Sequence, residues 1–139
     1  MNESHRYPIK EFGYDKSGIR NNLTGCFWEK LNIKMTDCIV IYITTGSITE
    51  AKKIGHTLVE EKLAACSNIV SPIRSIYSWQ GKICEDKEAL MILKSKKKLF
   101  KQIVKRVEKL HSYDVPEIIA MPIVEGSDKY LSWLKEETQ

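Results

Sequence analysis

The chain has 139 residues, 42% of them hydrophobic, and its 22 basic and 18 acidic side chains give a net charge of +4. That length suits one domain burying roughly two-thirds of its unfolded surface and is too short for two. The charge excess is too mild to argue for nucleic acid, no N-terminal apolar run has the form of a signal peptide or a membrane span, and Cys26, Cys38, Cys66 and Cys84 are too widely spaced for a zinc pair.

Residues 1–34 are polar, broken by Gly13, Gly18 and Gly25, and carry aromatic residues without a helical or strand period. They are read as an N-terminal extension outside the fold, most simply an upstream start ahead of Met35, with the domain running over 35–139. Cys38 to Thr45 is a continuous β-branched run of the kind found in central strands covered on both faces. Ser47-Ile-Thr-Glu50 has the spacing of a capping box, in which Ser47 accepts from the Glu50 amide and the Glu50 carboxylate reaches back. A helix follows to about Lys62, with Ala51, Ile54, Leu58 and Val59 on one stripe.

From Cys66 to Trp79 and again from Lys82 to Ser95 the chain reads as two extended arms joined at Gln80-Gly81, a long hairpin whose tip outgrows its own core. Pro72 removes a ladder donor and points to an edge strand or a bulge. A second helix is expected from Lys96 to Leu110, with Ser95 as its cap. Val115-Pro116 forces the chain out of the helical basin, so His111, Tyr113, Asp114 and Glu117 sit on a constrained connection. A short strand over Ile118 to Val124, interrupted by Pro122, and a last helix opened by Gly126-Ser127 complete the chain. The order is that of an α+β, ferredoxin-like split βαβ sandwich with a long hairpin and a C-terminal helix.

Leu63-Ala-Ala-Cys-Ser-Asn-Ile-Val70, Ser75-Ile-Tyr-Ser-Trp-Gln-Gly-Lys82, His111-Ser-Tyr-Asp-Val-Pro-Glu-Ile-Ile-Ala-Met-Pro122 and Tyr130-Leu-Ser-Trp133 resemble the CutA divalent-cation tolerance proteins, in order and at family spacing. The resemblance implies a homotrimer whose hairpins reach across neighbouring subunits, and a role in tolerance to copper and other divalent metals. Two positions depart from the pattern. Ser112 stands where many members have proline, and Ile43 where some bacterial members have a first-strand cysteine.

His111, Asp114 and Glu117 offer imidazole and carboxylate donors suited to borderline divalent ions, while a set of this kind on a loop is ordinarily a solvated turn. Cys66 beside Ala64 and Ala65 is ordinarily an apolar packer, and its functional reading is a soft thiolate. The expected metal ligands are His111, Cys66 and Glu117, with copper or another divalent cation as the ion. Tyr77, Trp79 and Trp133 are expected at a subunit interface. Lys94, Lys96 and Lys97, with Lys98 and Lys101, form a weaker candidate for an anion. No nucleophile elbow and no zinc-protease helix is present, so the chain is not expected to be an enzyme. The expected partners are the chain itself and metal ions, with no nucleic acid and no membrane, in the cytoplasm. The runner-up is a small-molecule or anion-sensing trimer resembling the PII signal-transduction proteins.

Overall fold

The computed structural model describes residues 35–139, and the reading of 1–34 lies outside the described residues. Four strands form one antiparallel sheet in the order β2-β3-β1-β4. They are β1 (Cys38–Thr45), β2 (Cys66–Trp79), β3 (Lys82–Lys96) and β4 (Ile118–Pro122), with helices α1 (Ile48–Glu60), α2 (Phe100–Leu110) and α3 (Asp128–Glu136). The ferredoxin-like arrangement expected from the element order is the one observed.

The core lies on one face of the sheet. Ile39, Ile41 and Ile43 of β1 and Ala89, Met91 and Leu93 of β3 point to the same side, because alternate residues share a face. They pack against Ile54 and Leu58 of α1 and Ile103 and Val107 of α2. The opposite face is apolar too, yet among the described residues nothing covers it. Val40 and Tyr42 are only half-buried there, and their β4 partners Met121 and Ile119 are 48% and 51% exposed. A strand run written for cover on both faces thus receives it on one from the described residues.

α1 starts as its sequence dictates, with the Ser47 hydroxyl accepting from the Glu50 N–H at 3.2 Å. The other half of the capping box is not made, because the Glu50 carboxylate turns to Ser112 instead. The helix ends in a Schellman turn: Leu63 N–H reaches Leu58 O and Lys62 N–H reaches Val59 O, with Lys62 in the left-handed region at φ 57°.

Ser95 is not a cap. It belongs to β3 on the buried face, where its hydroxyl donates to Leu63 O at 2.5 Å. The strand runs one residue further, a 3-10 turn spans Lys97–Leu99, and α2 begins at Phe100 without a side-chain cap. From the 3-10 turn through that helix Lys97, Lys101, Lys105 and Lys109 follow at every fourth position. Each like-charge pair at this spacing within a helix costs about 0.2–0.5 kcal/mol, so the Lys101–Lys105 and Lys105–Lys109 pairs weigh against α2.

β2 is an edge strand, and its pairing with β3 slips between Val70 and Ile73, at Pro72, as that proline implied. Gln80 and Gly81, both with positive φ, close the hairpin in the manner that suits a two-residue loop. β1 pairs with β3 only as far as Ala89, so Ile73 to Glu88 is a two-stranded ribbon beyond the body. α3 lies over the other end of the sheet, burying Leu134 against Cys38 and Ala65. Lys96 Nζ donates to Lys135 O and Thr138 O, and Gln139 N–H to Lys62 O, so the chain end is tied down.

Candidate functional site

The junction after α2 is held by hydrogen bonds to β1, α1 and β3. His111 closes the helix through its N–H to Val107 O and turns into extended backbone, as the following proline requires. Its side chain is fully buried. Nδ1 accepts the Tyr113 N–H at 3.0 Å, and Nε2 lies 2.8 Å from Thr44 O on β1. An amide N–H needs a bare Nδ1, and a carbonyl needs a donor, so the ring is the neutral tautomer with its proton on Nε2.

Three more ties hold the loop. Ser112 donates its N–H and hydroxyl to the Glu50 carboxylate at 2.5 and 3.1 Å. Tyr113 donates its phenol to Glu88 on β3 at 2.9 Å, and burial, then the nearby Glu88 carboxylate, pushes that phenol well above the ordinary tyrosine range. Gly46 leaves room for the ring, since a Cβ there would stand 3.1 Å from the Tyr113 oxygen. Glu117 accepts from the Thr44 hydroxyl at 3.1 Å. Thr44 therefore links the two: its carbonyl takes the histidine and its side chain steers the exposed carboxylate.

Cys66 is elsewhere. It pairs with Lys94, which pairs with Val40, whereas His111 meets Thr44 four residues along the same strand, about 13 Å away. The three expected metal ligands are consequently not gathered within one chain, and among the described residues no group of three His, Cys, Asp or Glu side chains is placed to hold a metal ion. His111 also has both ring nitrogens committed. The sequence showed the donors but not their hydrogen bonds.

The Cys66 thiol lies 3.7 Å from the Tyr130 hydroxyl, and the Tyr130 and Trp133 rings contact at 5.4 Å between centroids. Burial, then the Cys66 contact, raises the Tyr130 phenol above its ordinary value. Cys66 also lines a cavity of about 310 Å³ between α1 and β2, with Lys52, His56, Val59 and Ile69. His56 gave no functional signal in sequence, because nothing local says that the edge of β2 lies beside its helix. Cys38 is buried, and desolvation raises its thiol.

The remaining expected residues scatter. Tyr77 donates to Asp86 within the hairpin, Tyr77 and Trp79 are half-buried on the ribbon, and Trp133 is partly exposed on α3. Lys94 donates to Asn68 and Lys96 to the carbonyls at the end of α3, so neither directs its ammonium with Lys97 toward one anion. No helix among the described residues is long and apolar enough to cross a membrane.

Residues 39–137 match the model of the CutA1 divalent ion tolerance protein family. The chain is 50% identical over 99 residues to the divalent-cation tolerance protein CutA of Thermus thermophilus, covering 71% of this chain and 96% of that protein. It is 47% identical over 106 residues to the chloroplastic protein CutA of Arabidopsis thaliana, covering 76% of this chain and 58% of the plant protein's length. Among solved structures, the Thermus thermophilus divalent cation tolerance protein superposes with a TM-score of 0.72 at 48% identity, covering 73% of this chain and 99% of that one. CutA1 from Oryza sativa superposes with a TM-score of 0.73 at 43% identity, covering 76% and 96%. None of these names is that of an enzyme. With its sheet order, its long hairpin and its tied junction after the second helix, the chain belongs to the CutA1 divalent ion tolerance family.

Proposed function

We propose that the chain acts as a cytoplasmic homotrimer in tolerance to divalent cations, copper foremost, and holds metal where subunits meet. The observation that carries the assembly is the uncovered apolar sheet face around Val40, Tyr42, Ile119 and Met121, together with a ribbon that ends on Ile76 and Ile83 at 70% and 77% exposure. Three-fold closure covers both without leaving a repeating exposed edge, and it brings Tyr77, Trp79 and Trp133 toward neighbours.

The metal reading is supported by the relatives named for divalent-cation tolerance and by the chemistry of the donors. Glu117 is the carboxylate a neighbouring subunit can reach, and Cys66 is the soft donor. His111 positions Glu117 through Thr44 and becomes a ligand itself only by giving up one of its two hydrogen bonds.

Light scattering tests the assembly, with a mass three times the 16.0 kDa chain expected and a single-chain mass fatal to it. Copper calorimetry on Glu117→Gln, Cys66→Ser and His111→Ala tests the site. The first two are expected to weaken binding, and unchanged affinity in all three variants removes the copper reading while leaving the trimer standing.

A further inference from the structure

Lys97, Lys101, Lys105 and Lys109 make one row along the outer side of the 3-10 turn and α2, about 6 Å apart, with Lys98 beside it. All five are exposed. Among the described residues none of their ammonium groups has a hydrogen-bond or ion-pair partner, whereas the ammonium groups of Lys94, Lys96 and Lys135 are all engaged. The row opposes local stability twice, since its charges repel along the helix and Lys97, Lys98 and Lys101 crowd the positive end of the helix dipole. Packing does not require lysine there, because the core stripe of α2 is Ile103 and Val107 on its inner side.

The row is one residue wide. Glu108 borders it on α2, and the neighbouring Arg106 is already held by the Glu61 carboxylate from α1 in a two-pronged pair at 2.7 and 2.9 Å. A bilayer or a duplex is broad and would lay its phosphates over those flanking carboxylates as well. Single-stranded nucleic acid calls for aromatic stacking platforms, and the row has none. A narrow chain bearing carboxylates meets the ammonium groups and avoids the borders.

We propose that this lysine row is a docking strip for an acidic polypeptide segment of a protein partner. Binding rests on point charges without apolar anchors, so it is fast, weak and salt-sensitive.

The test is anisotropy of a labelled oligoglutamate titrated with the full chain. Binding is expected at low salt and is expected to weaken as salt rises. Lys101→Glu with Lys105→Glu should weaken it by at least about tenfold, while Lys53→Glu with Lys129→Glu, the same change of charge elsewhere, should stay within about twofold. Should the reversed pair melt below the wild type by circular dichroism, Lys101→Gln with Lys105→Gln replaces it, with a loss of about threefold expected. Equal losses in the row and control variants, no binding at low salt, or tighter binding to duplex DNA or phosphatidylserine vesicles than to the peptide would overturn the proposal.

Discussion

β2 and β3 are one pair of strands that lives in two environments. From Cys66 to Val70 and from Ala89 to Lys96 they belong to a four-stranded sheet with β1 alongside and helices over one face, and Met91 and Leu93 are fully buried. From Ile73 to Glu88 the same strands continue as a ribbon with no third strand among the described residues, held by contacts such as Arg74 to Glu85 at 3.0 Å. An isolated two-stranded hairpin is marginal in water. The body of this domain is therefore stabilised by its own core, while the ribbon needs a second surface.

Cutting into the body should have the largest effect. Ile41→Ala removes a fully buried side chain between α1, α2 and both neighbouring strands, and a loss of about 2–5 kcal/mol in denaturant unfolding is expected. In the ribbon, Ile76→Asp with Ile83→Asp should leave the far-ultraviolet spectrum unchanged but convert a three-chain mass into a one-chain mass by light scattering. A ribbon pair that unfolds the domain, or that leaves assembly intact, would erase the contrast between the two regions.

The junction at the base of the hairpin sharpens the comparison, because it ties the body to the first ribbon residues through Glu88. Glu50→Ala strands the Ser112 amide, and a loss of about 1–2 kcal/mol is expected, smaller than for a core residue because Ser112 is exposed. Alkaline titration tests the Tyr113 tie. Its phenol is raised in the folded chain, so the folded state keeps the proton that the unfolded chain releases above its ordinary value of 10.0. That stability is fully present below pH 10 and is lost as pH rises beyond it, so Tyr113→Phe should show a shallower fall in melting temperature above pH 10.

The smallest effect belongs to Asp37 and Lys135 at the far end of the body, paired at 3.0 Å on the surface. The hydrogen bond from Lys135 lowers the Asp37 carboxyl below its ordinary value of 3.8. Its contribution is present above that value and disappears as pH falls through the folded one. Asp37→Asn should therefore match the wild type in strong acid and trail it slightly near neutrality, a gap that salt should close.

The element order, the hairpin with its irregularity at Pro72, the Ser47 cap and the family were all legible in sequence, because period, turn chemistry and local caps are short-range signals. Ser95 misled for a related reason: a serine before a lysine-rich amphipathic run looks like a cap, but the strand period carried it to the buried face, where Leu63 O claimed its hydroxyl. Glu50 misled because the local motif says nothing about Ser112, which folds back beside it from far along the chain. The same holds for the site. Sequence put His111 and Glu117 on one loop, but only the fold brings Thr44 between them and sets Cys66 at another level of the sheet.

Lys96 grips carbonyls of the C-terminal segment at one end of the 15-residue β3, and the turn at Gly81 lies at the other. That strand is about 50 Å long. The tied C-terminal segment and the hairpin tip thus mark the two ends of a molecular ruler. A donor dye at position 81 and an acceptor attached after Gln139 would sit within the range where energy transfer changes steeply with distance, so ribbon bending could be followed on single molecules.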